Sequence, residues 1–280
     1  MSNLDQSLRI GIFDSGIGGF SILKEIQALM PFLEVYYYAD TANAPYGPKS
    51  PDFVIERSHS IVKYLENHNV SLVVVACNTA TAWAIDELRS KYSHIPFVGV
   101  EPYINILNQW PDLAKNERPA LITTNLTGKS ERFKALKLRL DPDSRIDHYC
   151  LPHLARIVEE DFFHEMQLFQ SKSGDIPFAS DLYNMVKSEV ECLQGKKYKH
   201  LILGCTHYPL VKNSLEKILQ LETISPCRAV AQRVESILKA RYADSWAALS
   251  AKARPEFSFY NSHDRFQKCL PFSLLERWPK

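Results

Sequence analysis

Two cysteines occupy matching positions in two similar stretches of the sequence. Cys77 follows the apolar run at residues 72–76, Cys205 follows the apolar run at residues 201–203, and a helical pattern comes after each cysteine. Each stretch predicts a buried strand that ends just before the cysteine and a helix that begins just after it. Each thiol should therefore lie at the carboxyl edge of a sheet, where open α/β sheets bind ligands. The two cysteines are separated by close to half of the 280-residue chain, which indicates two copies of one structural unit.

Two thiols that face each other across a cleft suit the inversion of a carbon acid. One base removes a proton from a tetrahedral carbon, and the product inverts only if a second group returns a proton to the opposite face. Free thiols titrate near ~8.5 and a helix start lowers this value, so a thiolate and a thiol can coexist near neutral pH. The alternative is that each cysteine is a small buried hydrophobe. The hydroxyls and the histidine beside these cysteines favour the functional interpretation.

The composition excludes several classes of protein. The chain is 45% hydrophobic and 23% charged with a net charge of +1. It therefore lacks the large excess of positive charge that would bind nucleic acid or an anionic membrane. No apolar run approaches the ~20 residues of a membrane span, and the polar start predicts no signal peptide. The six cysteines form no CxxC pair, which indicates reduced thiols in the cytoplasm.

A glycine-rich turn follows the first predicted strand, at residues 9–13. It runs from Asp14 and Ser15 through Gly16, Gly18 and Gly19 into a helical pattern. Glycines allow a tight turn, and backbone N–H groups at a helix start favour anions. The spacing does not match the G-x-G-x-x-G dinucleotide fingerprint, and a small carboxylate would suit the turn as well as a phosphate.

Two further loops contain polar groups at predicted strand ends. Residues 40–48 are rich in Pro and Gly, and they form either a surface connection or a lid that offers the Tyr46 hydroxyl and the Gly47 N–H. The hydroxyls at residues 124–127 either cap the predicted helix at 129–140 or bind a ligand. Cys150 lacks polar neighbours of this kind, so we interpret it as structural. Strands and helices alternate throughout, which predicts a doubly wound, mostly parallel α/β architecture.

Four short motifs occur in order along the chain, and together they resemble those of glutamate racemases. They are FDSGIGGFS, APYGPK, VACNTATA and LGCTHYPL. The similarity extends from Ile10 to the FYNSHDRF stretch near the end. Glutamate racemases belong to the cofactor-independent aspartate/glutamate racemase superfamily.

The resemblance implies a fold, a reaction and a set of site residues. The fold would be two pseudo-symmetric α/β domains, residues 1–100 plus 222–280 and residues 101–221, with the active site between them. The reaction would interconvert L- and D-glutamate without pyridoxal phosphate or another cofactor, and would supply D-glutamate for peptidoglycan. Cys77 would take the proton from the D isomer and Cys205 from the L isomer. The matching polar and substrate-contacting positions are Asp14, Ser15, Tyr46, Gly47, Asn78, Thr79, Thr127, Glu159, Thr206 and His207.

The chemistry of these residue types agrees with that assignment. Without an iminium cofactor, donors must stabilise the negative charge that develops on the substrate carboxylate, and Asn78, Thr79 and Thr206 lie where such donors are needed. Asp14 and His207 are suited to move a proton to or from a thiol and to tune its pKa. His207 could instead hydrogen-bond a backbone carbonyl in its turn.

Three alternatives remain at this point. A racemase of aspartate or of a hydantoin would share every argument about the thiols. A zinc hydrolase could use Cys205 and His207, although no further ligands follow at zinc-site spacing, and we predict no metal. A binding protein without catalysis would tolerate replacement of both cysteines. The sequence does not determine the oligomeric state, and a homodimer is among the states it allows.

Overall fold

The computed structural model describes residues 8–109, 118–161, 180–249, 256–263 and 266–271. Within these ranges the strands are β1 (Arg9–Asp14), β2 (Glu34–Ala39), β3 (Leu72–Val75), β4 (Phe97–Gly99), β5 (Ala120–Thr123), β6 (Asp147–Cys150), β7 (His200–Gly204), β8 (Glu222–Ile224), β9 (Glu256–Asn261) and β10 (Phe266–Pro271). The sequence also predicts a polar loop at residues 171–180, and it lies outside the described residues apart from its last residue.

Helices connect most of these strands. They are α1 (Phe20–Leu29), α2 (Pro51–Glu66), α3 (Asn78–Lys91), α4 (Ile106–Gln109), α5 (Asn125–Lys129), α6 (Glu131–Leu140), α7 (described over residues 154–161), α8 (Ser180–Glu189), α9 (Lys212–Leu219), α10 (Cys227–Arg241) and α11 (Ala243–Leu249). No described helix combines the length and the apolar character that crossing a bilayer requires.

The strands form two sheets with the same central order. The first sheet has six strands in the order β10-β9-β2-β1-β3-β4, and the second has four in the order β6-β5-β7-β8. All neighbouring strands are parallel except β9 and β10. The block β2-β1-β3-β4 therefore corresponds to β6-β5-β7-β8, which confirms the predicted mostly parallel α/β fold.

This strand order creates one ligand crevice in each sheet. After β1 the chain continues to β2 on one side, and after β3 it continues to β4 on the other side; β5 and β7 diverge in the same way. Ligands of open α/β sheets bind outside the carboxyl ends of strands at such a switch point. Cys77 follows β3 and Cys205 follows β7, so both thiols lie at switch points.

One apolar layer is shared by the two sheets. Side chains alternate along a strand, so Leu72 and Val74 of β3 face this layer and Val73 and Val75 face the helices on the opposite side. Ala120 and Ile122 of β5 enter the same layer from the second sheet. Ala76, next to Cys77, and Cys205 itself also belong to this layer, so the turns after β3 and β7 both border one continuous core.

Local signals explain where α2 begins and which face it buries. Pro51 takes the first helical position, and the Ser50 side chain accepts a hydrogen bond from the backbone N–H of Phe53, which satisfies one of the orphan donors at the helix start. One apolar stripe is buried against the first sheet, and each fully buried aliphatic side chain in it contributes about 1.5–3 kcal/mol. Its members are Val54, Ile61, Val62 and Leu65.

Several element boundaries differ from the sequence-based expectations. The helix predicted at 129–140 begins at Glu131 as α6, because Ser130 is extended and its side chain caps Phe133, and the preceding loop contains the short helix α5. The sequence predicts a helix that starts at Cys150, but Cys150 ends β6 and the helix is described from residue 154. A 3-10 turn at Tyr208–Val211 precedes α9.

The predicted domain division stays a prediction. The second sheet includes β8, so it extends three residues past the expected boundary at residue 221. The chain then returns along α10, whose buried face packs beside α1 of the first sheet.

Candidate active site

Cys77 caps the N-terminus of α3. Its backbone is extended, and its sulfur accepts a hydrogen bond from the Ala80 N–H at 3.5 Å. The Cys77 S–H points to the Ser15 hydroxyl oxygen at 3.8 Å. Burial raises the pKa of Cys77, and the negative charges of Asp14 and Cys205 raise it further. The raised pKa favours the protonated thiol, and a neutral Asp14 removes one of the charges that raise it.

Cys205 lies at the start of a line of three side chains. Its sulfur is 3.8 Å from Nδ1 of His207, and the other ring nitrogen is 2.7 Å from Oε2 of Glu159. All three side chains are buried. Burial lowers the pKa of His207, but Cys205, Glu159 and Asp14 outweigh burial and raise it well above 6.5. The imidazolium form, which can stabilise a Cys205 thiolate, is thus favoured beside this sulfur.

Asp14 connects the glycine-rich turn to the turn that contains Cys205. One carboxylate oxygen accepts the Thr206 hydroxyl at 3.0 Å, and the other accepts the Gly16 N–H at 2.8 Å. The side chain is fully buried, and burial raises the pKa of Asp14 while His207 lowers it. A carboxyl group with a raised pKa keeps its proton to higher pH than an ordinary aspartate and is suited to exchange it with a nearby thiol.

The glycine-rich turn has a role that sequence analysis did not identify. A Cβ atom at Gly16 would lie 2.1 Å from Glu159 Oε2, and one at Gly18 would lie 2.2 Å from His207 Nδ1. The Ile17 N–H donates to Glu159 at 3.0 Å. The carboxylate that this turn binds is therefore supplied by the protein itself, and the glycines let two active-site side chains pack on the backbone.

Three threonine hydroxyls meet between the two halves of the chain, which are the part that forms the first sheet and the part that forms the second. Thr79 at the start of α3 lies 3.1 Å from Thr124 and 3.0 Å from Thr127, measured between Oγ1 atoms. Thr124 also caps α5 by accepting the Thr127 N–H. A helix start with clustered hydroxyls can donate hydrogen bonds to a carboxylate.

Two buried side-chain oxygen atoms have no partner within the described part of the chain. One is Oδ1 of Asn78, beside Cys77, and the other is Oε1 of Glu159. The Asn78 amide nitrogen donates to the Val100 carbonyl at 3.4 Å. A buried acceptor is costly without a donor, and the ammonium group of an amino acid supplies donors of the right kind.

The Tyr46 hydroxyl is engaged within the protein. It donates to Asp40 at 2.6 Å, and Arg57 binds the same carboxylate at 2.8 and 3.0 Å. Burial raises the pKa of Asp40, but hydrogen bonds from Arg57, Tyr46 and Asn43 outweigh burial and lower it. This cluster fixes the loop at residues 40–48. A Cβ at Gly47 would lie 3.2 Å from Thr124 Cβ, so the loop reaches the second half of the chain.

Apart from Tyr46, whose hydroxyl binds Asp40, the sequence-predicted residues lie around the two thiols. Ser15, Asn78 and Thr79 lie beside Cys77, and Thr206, His207 and Glu159 lie beside Cys205, with Asp14 between them. Thr127 joins Thr79, and Gly47 approaches the same place. Sequence analysis missed the supporting residues Asp40, Arg57 and Ser21. Asp40 could have been found from its position at the end of β2, which matches that of Asp14 at the end of β1.

Comparison with known proteins gives a consistent result. No family model matches the chain. Glutamate racemase 2 of Bacillus subtilis is 33% identical over 237 residues, which cover 84% of this chain and 83% of that protein. The glutamate racemase of Pseudomonas aeruginosa is 34% identical over 270 residues, which cover 95% of this chain and 94% of the relative.

Solved structures agree with the sequence relatives. Escherichia coli glutamate racemase, in complex with L-glutamate and the activator UDP-MurNAc-Ala, aligns with a TM-score of 0.74 and 27% identity over 91% of this chain and 89% of that one. The Francisella tularensis glutamate racemase in complex with D-glutamate aligns with a TM-score of 0.68 and 27% identity, over 91% of this chain and 88% of that one.

Proposed function

The chain belongs to the glutamate racemase family, and on this premise we propose that Cys77 and Cys205 interconvert L- and D-glutamate by proton transfer on opposite faces of the α-carbon. The single observation that supports this assignment most strongly is the position of the two thiols. They occupy matching switch points of two sheets with the same central strand order, and Asp14, whose charge acts on Cys77, accepts the Thr206 hydroxyl beside Cys205. A substrate between them would meet one sulfur on each face.

The reaction from the D isomer begins at Cys77. The Cys77 thiolate takes the α-proton, the electron pair of the Cα–H bond remains on the substrate as a carbanion, and the Cys205 S–H returns a proton on the other face. In the reverse direction the thiols exchange roles. Asp14 is suited to accept the Cys77 proton before the reaction, since a neutral Asp14 removes one of the charges that raise the pKa of this thiol. His207 is suited to accept the Cys205 proton in the same way, because its Nδ1 lies 3.8 Å from the Cys205 sulfur.

The substrate carboxylate needs stabilisation because its negative charge grows as the α-proton leaves. The donors available are the N-terminus of α3 and the hydroxyls of Thr79, Thr127 and Thr206, all buried. Preorganised donors in a site that excludes water stabilise such charge more strongly than water does. The unpaired Oδ1 of Asn78 is suited to accept an N–H of the substrate ammonium group.

The family membership also suggests a cellular role. The product D-glutamate would supply peptidoglycan synthesis, and the reaction would take place in the cytoplasm. All six cysteines are free, which agrees with a reducing compartment. A homodimer remains a prediction, and light scattering of the purified protein tests it.

Incubation with L-glutamate in deuterium oxide tests the two-thiol reaction. The product D-glutamate should contain deuterium at Cα, and mass spectrometry measures it. Retention of the original proton in the inverted product would disprove the two-base assignment. The same assay with L- and D-aspartate separates glutamate racemisation from aspartate racemisation.

Single substitutions assign the roles of the two thiols. Cys77→Ala and Cys205→Ala should each abolish racemisation, because inversion needs both faces. Cys150→Ala is the matched control, since this thiol is also free but exposed, and it should leave the rate unchanged. Racemisation by either of the first two variants would contradict the proposal.

A further inference from the structure

Ser21, in the first turn of α1, contacts the turn that contains Cys205. Its hydroxyl oxygen lies 3.0 Å from the carbonyl oxygen of Thr206 and 2.8 Å from that of Gly18. The side chain is 8% exposed, so water does not compete for this hydrogen bond. Ser21 belongs to the first half of the chain and Thr206 to the second, and their contact therefore crosses between the two halves.

A hydrogen-bonded chain behind Ser21 orients its hydroxyl. The Ser225 hydroxyl donates to the Cys227 sulfur at 3.0 Å, and the Cys227 S–H donates to the Ser21 oxygen at 3.3 Å. Because the Ser21 oxygen accepts from Cys227, its own hydrogen is directed towards the two carbonyls. Burial raises the pKa of Cys227, although Ser21 and Ser225 lower it, and the net shift is upward. Cys227 therefore stays protonated as the donor that this chain needs.

Thr206 is fixed at two atoms by one segment of the first half. Asp14, at the end of β1, accepts its side-chain hydroxyl, and Ser21, at the start of α1, donates to its carbonyl. Thr206 lies between Cys205 and His207 in the sequence. These two hydrogen bonds therefore restrain the backbone on both sides of Thr206, and with it the positions of the thiol and the imidazole. If the Ser21 contact is lost, the Thr206 peptide can rotate and the approach of Cys205 Sγ to His207 Nδ1 changes.

We infer that Ser21 is a positioning residue for Cys205, supported from behind by Cys227, and this inference rests on the proposed two-thiol reaction. Ser21 does not contact the reacting atoms; it acts through the Thr206 carbonyl. Its removal should slow the proton transfer at Cys205 more than the transfer at Cys77, because the Cys77 turn is held by separate contacts to Ser15 and Ala80.

Isotope effects distinguish this role from a general loss of structure. The two enantiomers of glutamate have equal free energies in water, so any variant lowers kcat/KM by the same factor in both directions. The deuterium isotope effect on kcat/KM is not constrained in this way. With α-deuterated L-glutamate the Cα–D bond is broken by Cys205, and with α-deuterated D-glutamate it is broken by Cys77. A slower step at Cys205 raises the first isotope effect and lowers the second towards unity.

The experiment compares Ser21→Ala with two other variants. We expect Ser21→Ala to lower kcat/KM about tenfold, with a larger isotope effect from the L side and a smaller one from the D side than in the wild type. Ser21→Thr retains the hydroxyl and should restore both isotope effects. Ser58→Ala is the matched control, because Ser58 is fully buried and donates to a helix carbonyl, that of Val54 at 2.7 Å. It should leave both isotope effects unchanged.

Each outcome bears on one of the two claims. If the wild type does not racemise glutamate, the proposed function fails. If the wild type racemises and Ser21→Ala changes both isotope effects equally, or leaves the rate unchanged, the positioning role of Ser21 is wrong while the function stands.

Discussion

Oε2 of Glu159 lies 2.7 Å from Nε2 of His207, and both side chains are almost completely buried. The opposite ring nitrogen faces Cys205 at 3.8 Å. A carboxylate on one side of an imidazole fixes the ring and favours its protonated form. Glu159 therefore helps to hold a positive charge beside the Cys205 sulfur, although it is 48 residues from His207 in sequence.

Glu159→Gln should shift the pH dependence of racemisation. In the wild type the raised pKa of His207 keeps the imidazolium present to higher pH. Removal of the Glu159 charge lowers this pKa, so the imidazolium is lost at lower pH and the alkaline limb of kcat/KM should move down by about one pH unit or more. Glu160→Gln is the control, because this neighbouring side chain is 62% exposed. An unchanged pH profile in Glu159→Gln would show that Glu159 does not set the protonation of His207.

The sequence predicted the position of both thiols because the signal is local. An apolar run, a cysteine and a helical pattern together specify the end of a strand and the start of a helix. The partner of His207 was available only through family resemblance, since no local pattern relates Glu159 to a turn so far along the chain. The contact of Ser21 with Thr206 had no sequence signal, because it depends on how two halves pack.

The remaining errors concern short elements and competing hydrogen bonds. Strand β8 has three residues, too few to show an alternating pattern. The start of α6 at Glu131 rather than residue 129 follows from the capping side chain of Ser130, which competes with helix continuation. The sequence left the loop at residues 40–48 open between a surface connection and a lid, and the hydrogen bond from Tyr46 to the buried Asp40 was not recognised because its Arg57 partner lies on a separate helix.

Two neighbouring threonines of α3 should behave differently when each is replaced by valine. Thr79 binds the hydroxyls of Thr124 and Thr127, which also bind each other at 3.0 Å. Thr79→Val should therefore change stability little and raise the KM for glutamate about tenfold, through loss of one substrate hydrogen bond. Steady-state kinetics measures this effect. If Thr79→Val had the same KM as the wild type, Thr79 would not bind the substrate.

The control for Thr79 is Thr81→Val. The Thr81 hydroxyl donates to the Val75 carbonyl at 3.2 Å and accepts the Val100 N–H at 3.1 Å. These two backbone groups lie at the end of β3 and directly after β4. Valine leaves these groups unpaired, which should cost about 1–3 kcal/mol in the free energy of unfolding. Its KM should remain at the wild-type value, so the two variants should show opposite patterns in kinetics and urea unfolding.

Arg57→Met should destabilise the fold in a pH-dependent manner. Asp40 is fully buried and accepts two hydrogen bonds from Arg57, so methionine leaves a buried charge without its ion pair, at a cost of about 3 kcal/mol. The wild-type pKa of Asp40 is below 3.8, so its stabilisation is fully present above that pH and is lost as pH falls through the folded pKa. In the variant, burial raises this pKa and Asp40 is neutral at low pH. The deficit in urea unfolding should therefore be larger at pH 7 than at pH 4.

Arg156→Met provides the comparison for Arg57. Arg156 is 55% exposed and lies 3.9 Å from Glu160 on the same helix, and such surface pairs contribute about 0–1 kcal/mol. Equal unfolding free energies for the two variants would contradict a structural role for the Asp40 and Arg57 pair.

Gly18→Ala should impair catalysis without unfolding the protein. The new Cβ would lie 2.2 Å from Nδ1 of His207, so the imidazole must move, and Nδ1 is the atom that faces the Cys205 sulfur. A displacement of about 1 Å at a reacting group can cost about a hundredfold in rate, and we expect a loss of that size in kcat/KM. Gly11→Ala is the control, because its Cβ would meet a methyl group of Leu65 at 2.9 Å in the core. It should lower the melting temperature and leave the rate of the folded enzyme unchanged. Wild-type activity in Gly18→Ala would mean that the observed position of His207 is not required for proton transfer.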